Sequence, residues 1–228
     1  MKGVIFDLDG TLLNSLGDLA ISANYALKEC GYPARSIDEV RNMVGYGVGK
    51  LIERAMPCDV SEQEYNRCLD VFKRHYVVHC DDNTSPYPGI MQLLENLYNN
   101  GVSLAIASNK LQPAVTQLCT RFFSPFVKIF LGESAEVQRK PKPDMLIKAM
   151  SLMRCASNEV VYVGDSEVDI ATAEAANVQC VSVLWGFRSK EFLMEHGASL
   201  LAKSPLDIED IFGRLCKKTK KNPESQRN

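Results

Sequence analysis

Two kinds of apolar pattern alternate along this chain. Short runs of consecutive apolar residues, such as "SLAIA" and "VVYVG", are typical of strands buried on both faces of a parallel sheet. In other stretches, such as 89–99 and 113–123, apolar residues recur every three or four positions and indicate amphipathic helices. The pattern therefore predicts an α/β fold, with strands at 2–6, 103–107, 126–131, 160–164 and 180–184.

Strand and helix patterns alternate from residue 88 onward, which favours right-handed crossovers and a doubly wound, Rossmann-like parallel sheet. We expect this α/β core domain to comprise residues 1–14 and 86–216. Residues 15–85 keep helical spacing, and a segment of about 70 residues is too long for an ordinary connection. They are therefore predicted to form a small all-helical cap domain inserted into the core. Residues 217–228 lack apolar periodicity and are predicted to be a flexible basic tail.

Charge and composition narrow the possible partners. The net charge of -2 and the pI near 6.0 argue against nucleic acid or an acidic membrane as the main partner, because both require a broad basic face. The sequence contains no apolar run of about 20 residues and no signal-peptide pattern at its start, so we expect a cytoplasmic protein. The eight cysteines form no C-x-x-C pair and are read as small apolar core residues of a reducing compartment.

Polar residues cluster where the predicted strands end. In an open α/β sheet, the ligand crevice lies beyond the carboxyl ends of the strands. Asp7 and Asp9 follow the first strand, and residues two apart on a strand share a face. Ser108 follows the second strand, in a stretch predicted to open a helix, and Asp165 follows the fourth. These residues are therefore expected to meet in one crevice.

Several carboxylates in one crevice repel one another unless a cation neutralises them. Oxygen ligands without sulfur suit Mg²⁺, which keeps several waters and often pairs with substrate phosphate. Ser108 at a predicted helix N-terminus offers an anion site, and a lysine from 139–143 balances the charge. A metal site beside an anion site predicts phosphoryl chemistry.

Four motifs then carry a resemblance to a known family. "DLDGTL" at 7–12, "ASN" at 107–109, "KPKP" at 140–143 and "GDSEVD" at 164–169 resemble, in order and spacing, the motifs of the haloacid-dehalogenase-like hydrolases. The likeness extends from residue 2 to about 200, and a helical insertion between the first two motifs is similar to the small cap of this superfamily. Within it, the pattern at 7–56 most resembles phosphoglycolate phosphatases.

The resemblance implies specific roles. Asp7 matches the nucleophile that forms an aspartyl-phosphate, and Asp9 matches the general acid/base, a residue that the superfamily's dehalogenases lack. Mg²⁺ is then expected on Asp7, on the backbone carbonyl of Asp9 and on Asp165, with Asp169 supporting that site. The remaining matches hold phosphate: Ser108 and Lys140 through their side chains, Asn109 and Gly10 through their backbone.

The cap is expected to select the substrate, a small phosphorylated metabolite. Its stretch 42–56 has a glycine-rich loop that opens a helix, so Gly47 and Lys50 are the predicted specificity residues. Lys50 is expected to pair with a substrate carboxylate, whereas Arg41 and Arg54 are read as solvated surface residues.

Other functions stay open at this point. A sugar-phosphate mutase, a pyrophosphatase or a nucleotidase of the same superfamily has the same motifs, and a phosphate-binding module with this fold is the non-enzymatic alternative. The oligomeric state and the role of Arg188, which follows the last predicted strand, are also open.

Overall fold

The apolar runs form the centre of a six-stranded sheet in the computed structural model, which describes residues 1–221. The strands are β1 (Gly3–Phe6), β2 (Leu13–Asn14), β3 (Ser85–Pro86), β4 (Ser103–Leu111), β5 (Ile129–Glu133), β6 (Val160–Gly164), β7 (Gln179–Val183) and β8 (Leu200–Ala202). The sheet has the order β5-β4-β1-β6-β7-β8, and every neighbouring pair is parallel. The predicted doubly wound parallel sheet is confirmed.

Helices that follow β3 cover both faces of this sheet, and the described residues contain ten α-helices in all. They are α1 (Leu16–Glu29), α2 (Ile37–Met43), α3 (Val48–Ala55), α4 (Glu62–His79), α5 (Ile90–Asn99), α6 (Gln112–Phe123), α7 (Asp144–Met153), α8 (Glu167–Ala175), α9 (Lys190–Glu195) and α10 (Pro205–Lys221). Successive residues of β1 enter opposite layers: Val4 and Phe6 pack in one apolar cluster and Ile5 in the other. This alternation follows from the two-residue period of a strand.

The structure differs from the prediction in the position of one strand and adds strands that were not predicted. The strand expected at 126–131 is found at Ile129–Glu133, because the N–H groups of Phe126 and Val127 bond to the Phe123 carbonyl and close helix α6. Strand β8 was not predicted, since three residues are too short for an apolar run to distinguish them from a loop.

Helices α1–α4 lie between β2 and β3, and we call this segment the helical insertion (Leu16–His79). The short strands β2 and β3 pair antiparallel, so the chain enters and leaves the segment side by side. The buried carboxylate of Asp18, near the start of α1, accepts hydrogen bonds from the backbone and side chains of Asn83 and Thr84. These hydrogen bonds therefore hold together the two connections between the α/β core and the helical insertion. The predicted domain division at 15–85 stays a prediction.

Helix α10 extends through the beginning of the predicted tail and is described as far as Lys221. The apolar periodicity stops earlier, but a helix propagates by one backbone bond per residue and needs no apolar face to continue for a turn. The rest of the predicted tail, 222–228, lies outside the described residues. Within residues 1–221, no helix combines the length and the apolar character required to cross a bilayer.

Candidate active site

The carboxyl ends of β1, β4 and β6 open onto one cavity beneath the helical insertion. Because β1 lies between the other two strands, the polar residues that follow all three are brought together. The enclosed volume is about 50 Å³, and one water needs roughly 10–15 Å³ on this measure, so the cavity admits a group of a few heavy atoms. The predicted site residues that line it are Asp7, Asp9, Gly47, Ser108, Asn109, Lys140 and Asp165.

Asp7 and Lys140 form a buried ion pair at the end of β1. The Lys140 ammonium donates to Asp7 Oδ1 at 2.7 Å, to Asp169 Oδ1 at 2.7 Å and to the Tyr162 hydroxyl oxygen at 2.9 Å. Tyr162 in turn donates to Asp169 at 2.7 Å. These groups lie on the sheet, on loops attached to it and, for Asp169, on helix α8, so all of these bonded partners come from the α/β core.

Asp169 is occupied by hydrogen bonds at the start of α8. Its Oδ2 accepts from the Ser166 hydroxyl at 2.6 Å and from the N–H groups of Asp165 and Ser166 at 3.2 and 3.1 Å. Carboxylates at a helix N-terminus are stabilised by the free backbone N–H donors there and by the helix dipole. Asp169 therefore holds Lys140 and the turn that carries Asp165.

The carboxylates of Asp7, Asp165 and Asp169 form an acidic cluster in which one oxygen of each lies within 4.8 Å of the others. Two glycines make room for it. A Cβ on Gly10 would lie 2.3 Å from Asp165 Oδ2, and a Cβ on Gly186 would lie 2.3 Å from Asp165 Cβ. Asp165 Oδ2 accepts from the Phe187 N–H at 2.7 Å, which fixes its orientation.

The charges of this cluster are strongly coupled. Burial raises the pKa of Asp7 to about 7; Lys140 opposes this rise, while the Asp169 charge adds to it. Burial and the charges of Asp169 and Asp7 also raise the pKa of Asp165 well above its usual value. Burial acts against the charge of Asp169 as well, but Lys140 and the hydroxyl donors outweigh it and lower the pKa. The unneutralised charge thus lies between Asp7 and Asp165, where an added cation would relieve it.

Asp9 has a separate set of partners, which the motifs did not indicate. Lys110 Nζ lies 2.8 Å from Asp9 Oδ1 and 3.2 Å from Oδ2, and the Ser15 hydroxyl donates to Oδ1 at 2.5 Å. Lys110 also bonds to the hydroxyl of Tyr76, which belongs to helix α4 of the helical insertion. Lys110 is only two residues from Ser108, so its proximity was visible in the sequence, but its partner was not.

Ser108 and Asn109 lie in an extended part of β4, because the strand continues to Leu111 and helix α6 begins at Gln112. The prediction that Ser108 opens a helix is therefore wrong. Its hydroxyl lines the cavity and accepts from the Lys110 N–H at 3.3 Å. The Asn109 side chain fastens two loops, since it donates to the carbonyls of Gly45 and Lys140 and accepts from the Lys140 N–H.

Gly10 lies in the turn after β1, and its predicted contact with phosphate stays a prediction. Its N–H donates to the Leu13 carbonyl at 2.9 Å, and Gly10 is outside the residues that line the cavity. Its φ of +82° suits glycine, and the missing Cβ leaves space for Asp165.

The helical insertion faces the cavity with apolar side chains and with its glycine-rich loop. Gly47 is at this wall, as predicted. Lys50 is not: its ammonium pairs with Glu53 at 2.5 Å on the outside, and the side chain is 42% exposed. The helical period did not reveal which side of α3 faces inward. The apolar part of the wall consists of Leu19, Val44, Val48 and Leu51.

Arg188, left open by the sequence, joins the core to the helical insertion. Its guanidinium donates to Glu167 at 2.9 Å and to the carbonyls of Arg41 and Val44 at 3.0 and 2.9 Å. The carbonyls of Arg41 and Val44 are at the end of α2, where backbone acceptors lack partners within the helix. Arg188 therefore fastens the loop that carries Gly45 and Gly47.

Known proteins resemble this chain in sequence and in fold. A phosphoglycolate phosphatase from Pseudomonas syringae pv. tomato is 32% identical over 220 residues, which are 94% of this chain and 78% of that protein. Another from Cereibacter sphaeroides is 36% identical over 192 residues, or 82% and 87% of the two chains. A crystal structure from Lactobacillus delbrueckii subsp. bulgaricus has a TM-score of 0.89 at 35% identity and covers 93% of this chain and 99% of its own.

The family model described as haloacid dehalogenase-like hydrolase matches residues 4–183, a range that contains all four motifs. The resemblance inferred from those motifs is thereby confirmed, and this chain belongs to the haloacid dehalogenase-like hydrolase family.

Proposed function

We propose that the protein is a Mg²⁺-dependent phosphatase that hydrolyses a small phosphomonoester through an aspartyl-phosphate on Asp7. The observation that carries this proposal is the buried Asp7 carboxylate, which lines the cavity with Lys140 2.7 Å from one oxygen. A carboxylate in that position can attack phosphorus, and it splits a difficult hydrolysis into two displacements.

The residues present fit Mg²⁺. Their donors are carboxylate oxygens, the ligands that this hard cation prefers, and the raised pKa values of Asp7 and Asp165 reflect burial and repulsion that a cation relieves. Asp7, Asp165 and the backbone carbonyl of Asp9 would hold the ion, whereas Asp169 is engaged by Lys140 and Ser166 and would support them. When bound, the ion neutralises charge on the phosphoryl oxygens.

The reaction follows from the placement of two carboxylates. An Asp7 oxygen attacks phosphorus and the ester P–O bond breaks, while Asp9 gives its proton to the departing alkoxide, which leaves as an alcohol. Asp9 then takes a proton from water, whose oxygen attacks phosphorus. The bond between Asp7 and phosphorus breaks, and inorganic phosphate leaves with Asp7 restored. Ser108, Lys140 and the backbone around Asn109 would hold the phosphoryl oxygens.

Phosphoglycolate is the substrate we propose within this class. Relatives in Pseudomonas syringae pv. tomato and Cereibacter sphaeroides carry that activity in their names, and the small cavity suits a short leaving group. Gly47 would contact that group through its backbone. We expect the enzyme to act in the cytoplasm on a free metabolite.

The test is phosphate release by the full chain after treatment with EDTA, with and without added Mg²⁺. We expect release from 4-nitrophenyl phosphate to depend on Mg²⁺, and phosphoglycolate to give the highest kcat/KM in a panel that also holds ethyl phosphate, a sugar phosphate, a nucleoside monophosphate and pyrophosphate. Absence of Mg²⁺-dependent release from every ester would contradict the phosphatase assignment. An ethyl phosphate rate equal to that of phosphoglycolate would contradict the proposed substrate alone.

A further inference from the structure

Lys110 lies in a buried contact between the sheet and the helical insertion. Its ammonium bonds to both oxygens of Asp9, at 2.8 and 3.2 Å, and to the hydroxyl of Tyr76 on α4. The Lys110 side chain is 1% exposed and Tyr76 is fully buried. The same ammonium lies 4.5 Å from the centroid of the Tyr76 ring.

A buried ammonium is costly unless it is paired and hydrogen-bonded. Lysine normally has many rotamers, but burial between β4 and α4 leaves this side chain with little freedom. The position of the Lys110 ammonium therefore determines the position of the Asp9 carboxylate, which is 19% exposed at the cavity wall.

The two oxygens of Asp9 are held unequally. Oδ1 accepts hydrogen bonds from Ser15 at 2.5 Å and from Lys110 at 2.8 Å, whereas Oδ2 accepts only the longer bond from Lys110, at 3.2 Å. A carboxylate fixed through one oxygen presents the other in a constant direction. Proton transfer needs a group held within hydrogen-bond reach of the reacting atom, so this arrangement suits an acid/base residue.

We propose that Lys110 is a positioning residue for Asp9, that Tyr76 holds Lys110 in place, and that proton exchange takes place on Asp9 Oδ2. This inference rests on the proposed phosphatase function and assigns a role to a residue outside the four motifs. Lys110 acts through Asp9, whereas Lys140 pairs with the nucleophile Asp7. Loss of Lys110 thus impairs protonation of the leaving group more than attack on phosphorus.

Two aryl phosphates separate these effects. The leaving group of 4-nitrophenyl phosphate departs without a proton, whereas that of phenyl phosphate, of similar size, benefits from protonation. Since kcat/KM reports the steps up to phosphoryl transfer, it responds to the acid only when the leaving group needs one. For Lys110→Met we expect kcat/KM to fall at least about tenfold with phenyl phosphate and to stay within about threefold with 4-nitrophenyl phosphate, a part of the 10²–10⁴ that a general acid supplies.

Lys128→Met is the matched control, because Lys128 is an exposed lysine outside the cavity and its loss leaves both rates unchanged. An equal fall with both substrates would show a purely structural role for Lys110 and overturn the inference. If wild-type protein hydrolyses neither ester with Mg²⁺, the proposed function fails first. If wild type is active and the variant is unselective, the inference alone fails.

Tyr76→Phe tests the same inference with less disturbance, and it replaces Lys110→Met should that variant not fold. It keeps the aromatic ring and removes only the hydroxyl. We expect the same selectivity for phenyl phosphate, about threefold or more in kcat/KM. Tyr25→Phe, on the exposed side of α1, is the control. Unchanged ratios between the two substrates in Tyr76→Phe would contradict the role assigned to Tyr76.

Discussion

The two aspartates of the first motif are each paired with a buried lysine, yet the two pairs are built differently. Asp7 meets Lys140, and that lysine also contacts the hydroxyl of Tyr162 on β6. Asp9 meets Lys110, whose other partner comes from the helical insertion. The first lysine is thus held by the core alone, whereas the second is held by the core and by the helical insertion.

This difference separates the two halves of the proposed reaction. The nucleophile Asp7 needs a fixed position. Lys140, which is itself bonded to Asp169, holds Asp7 at the end of β1. The acid/base Asp9 is held by Lys110, and Lys110 is in turn bonded to Tyr76 of α4. Identical residue types two positions apart therefore acquire distinct roles from their neighbours.

Replacing the nucleophile is the largest expected effect. Asp7→Asn removes the attacking oxygen and one partner of Lys140. We expect kcat with 4-nitrophenyl phosphate to fall by at least about 10⁴-fold, as loss of a covalent nucleophile does elsewhere. The measurement is steady-state phosphate release together with acid quenching to trap a phosphoenzyme.

Asp59→Asn, an exposed aspartate in a loop, is the control and is expected to behave as wild type. Asp9→Asn sharpens the comparison, because it is expected to accumulate phosphoenzyme from 4-nitrophenyl phosphate without turning it over. Appreciable turnover by Asp7→Asn would exclude the covalent pathway.

Lys140→Met is expected to have the next largest effect. It removes a donor beside the nucleophile and leaves Asp7 and Asp169 without their common cation. Loss of one such donor typically costs about 10²–10³ in kcat. Because it acts at phosphorus, we expect equal losses with phenyl and 4-nitrophenyl phosphate, in contrast to Lys110→Met. The measurement is kcat/KM with both esters. A loss confined to phenyl phosphate would contradict the different roles proposed for Lys140 and Lys110.

Gly10→Ala tests the space around Asp165. The new Cβ would lie 2.3 Å from Asp165 Oδ2, so that carboxylate must move. We expect about a tenfold or larger rise in the Mg²⁺ concentration that gives half-maximal activity, the scale on which disturbed supporting groups weaken metal sites.

Gly31→Ala is a matched control for backbone strain. Gly31 has a φ of +84°, close to the +82° of Gly10, but nothing lies within 4 Å of its added Cβ. Gly31→Ala is expected to lose about 1 kcal/mol of unfolding free energy in urea, since alanine disfavours positive φ. Gly10→Ala is expected to lose more, because Asp165 must also move. If both shift the Mg²⁺ dependence equally, Asp165 is not the group affected.

The sequence predicted the part of the site that depends on strand ends. Asp7, Asp9 and Asp165 follow apolar runs, and the topology of an open sheet brings such positions together. The start of α6 was misplaced because the extended strand runs on through the polar residues Asn109 and Lys110, which carry no apolar signal.

The partners supplied by the helical insertion were not predictable in this way. Tyr76 reads as an ordinary apolar position of an amphipathic helix, and only the docking of α4 on β4 places its hydroxyl at Lys110. Lys50 was expected to face the substrate, but the rotation of α3 turns it toward Glu53 and solvent. Tertiary packing, which local patterns do not encode, decided both cases.

The smallest expected effects come from the two tyrosine hydroxyls, and they test the comparison most directly. Tyr162→Phe removes the donor to Asp169 at 2.7 Å and the acceptor of Lys140 at 2.9 Å, all within the buried core. We expect a loss of about 1–3 kcal/mol of unfolding free energy, because buried polar groups lose their partners. Catalysis should fall slightly and equally with both aryl phosphates. Urea unfolding and kcat/KM with the two esters give both readouts.

Tyr76→Phe is the counterpart on the side of the helical insertion. It removes one hydroxyl contact and keeps the aromatic ring. We therefore expect a smaller loss of stability than in Tyr162→Phe, but a selective loss of kcat/KM for phenyl phosphate. The opposite pattern would be selectivity for phenyl phosphate in Tyr162→Phe and an equal loss with both esters in Tyr76→Phe. It would mean that Lys140, and not Lys110, positions the acid/base. The two hydroxyls thus distinguish a fixed nucleophile from an acid/base whose position depends on the helical insertion.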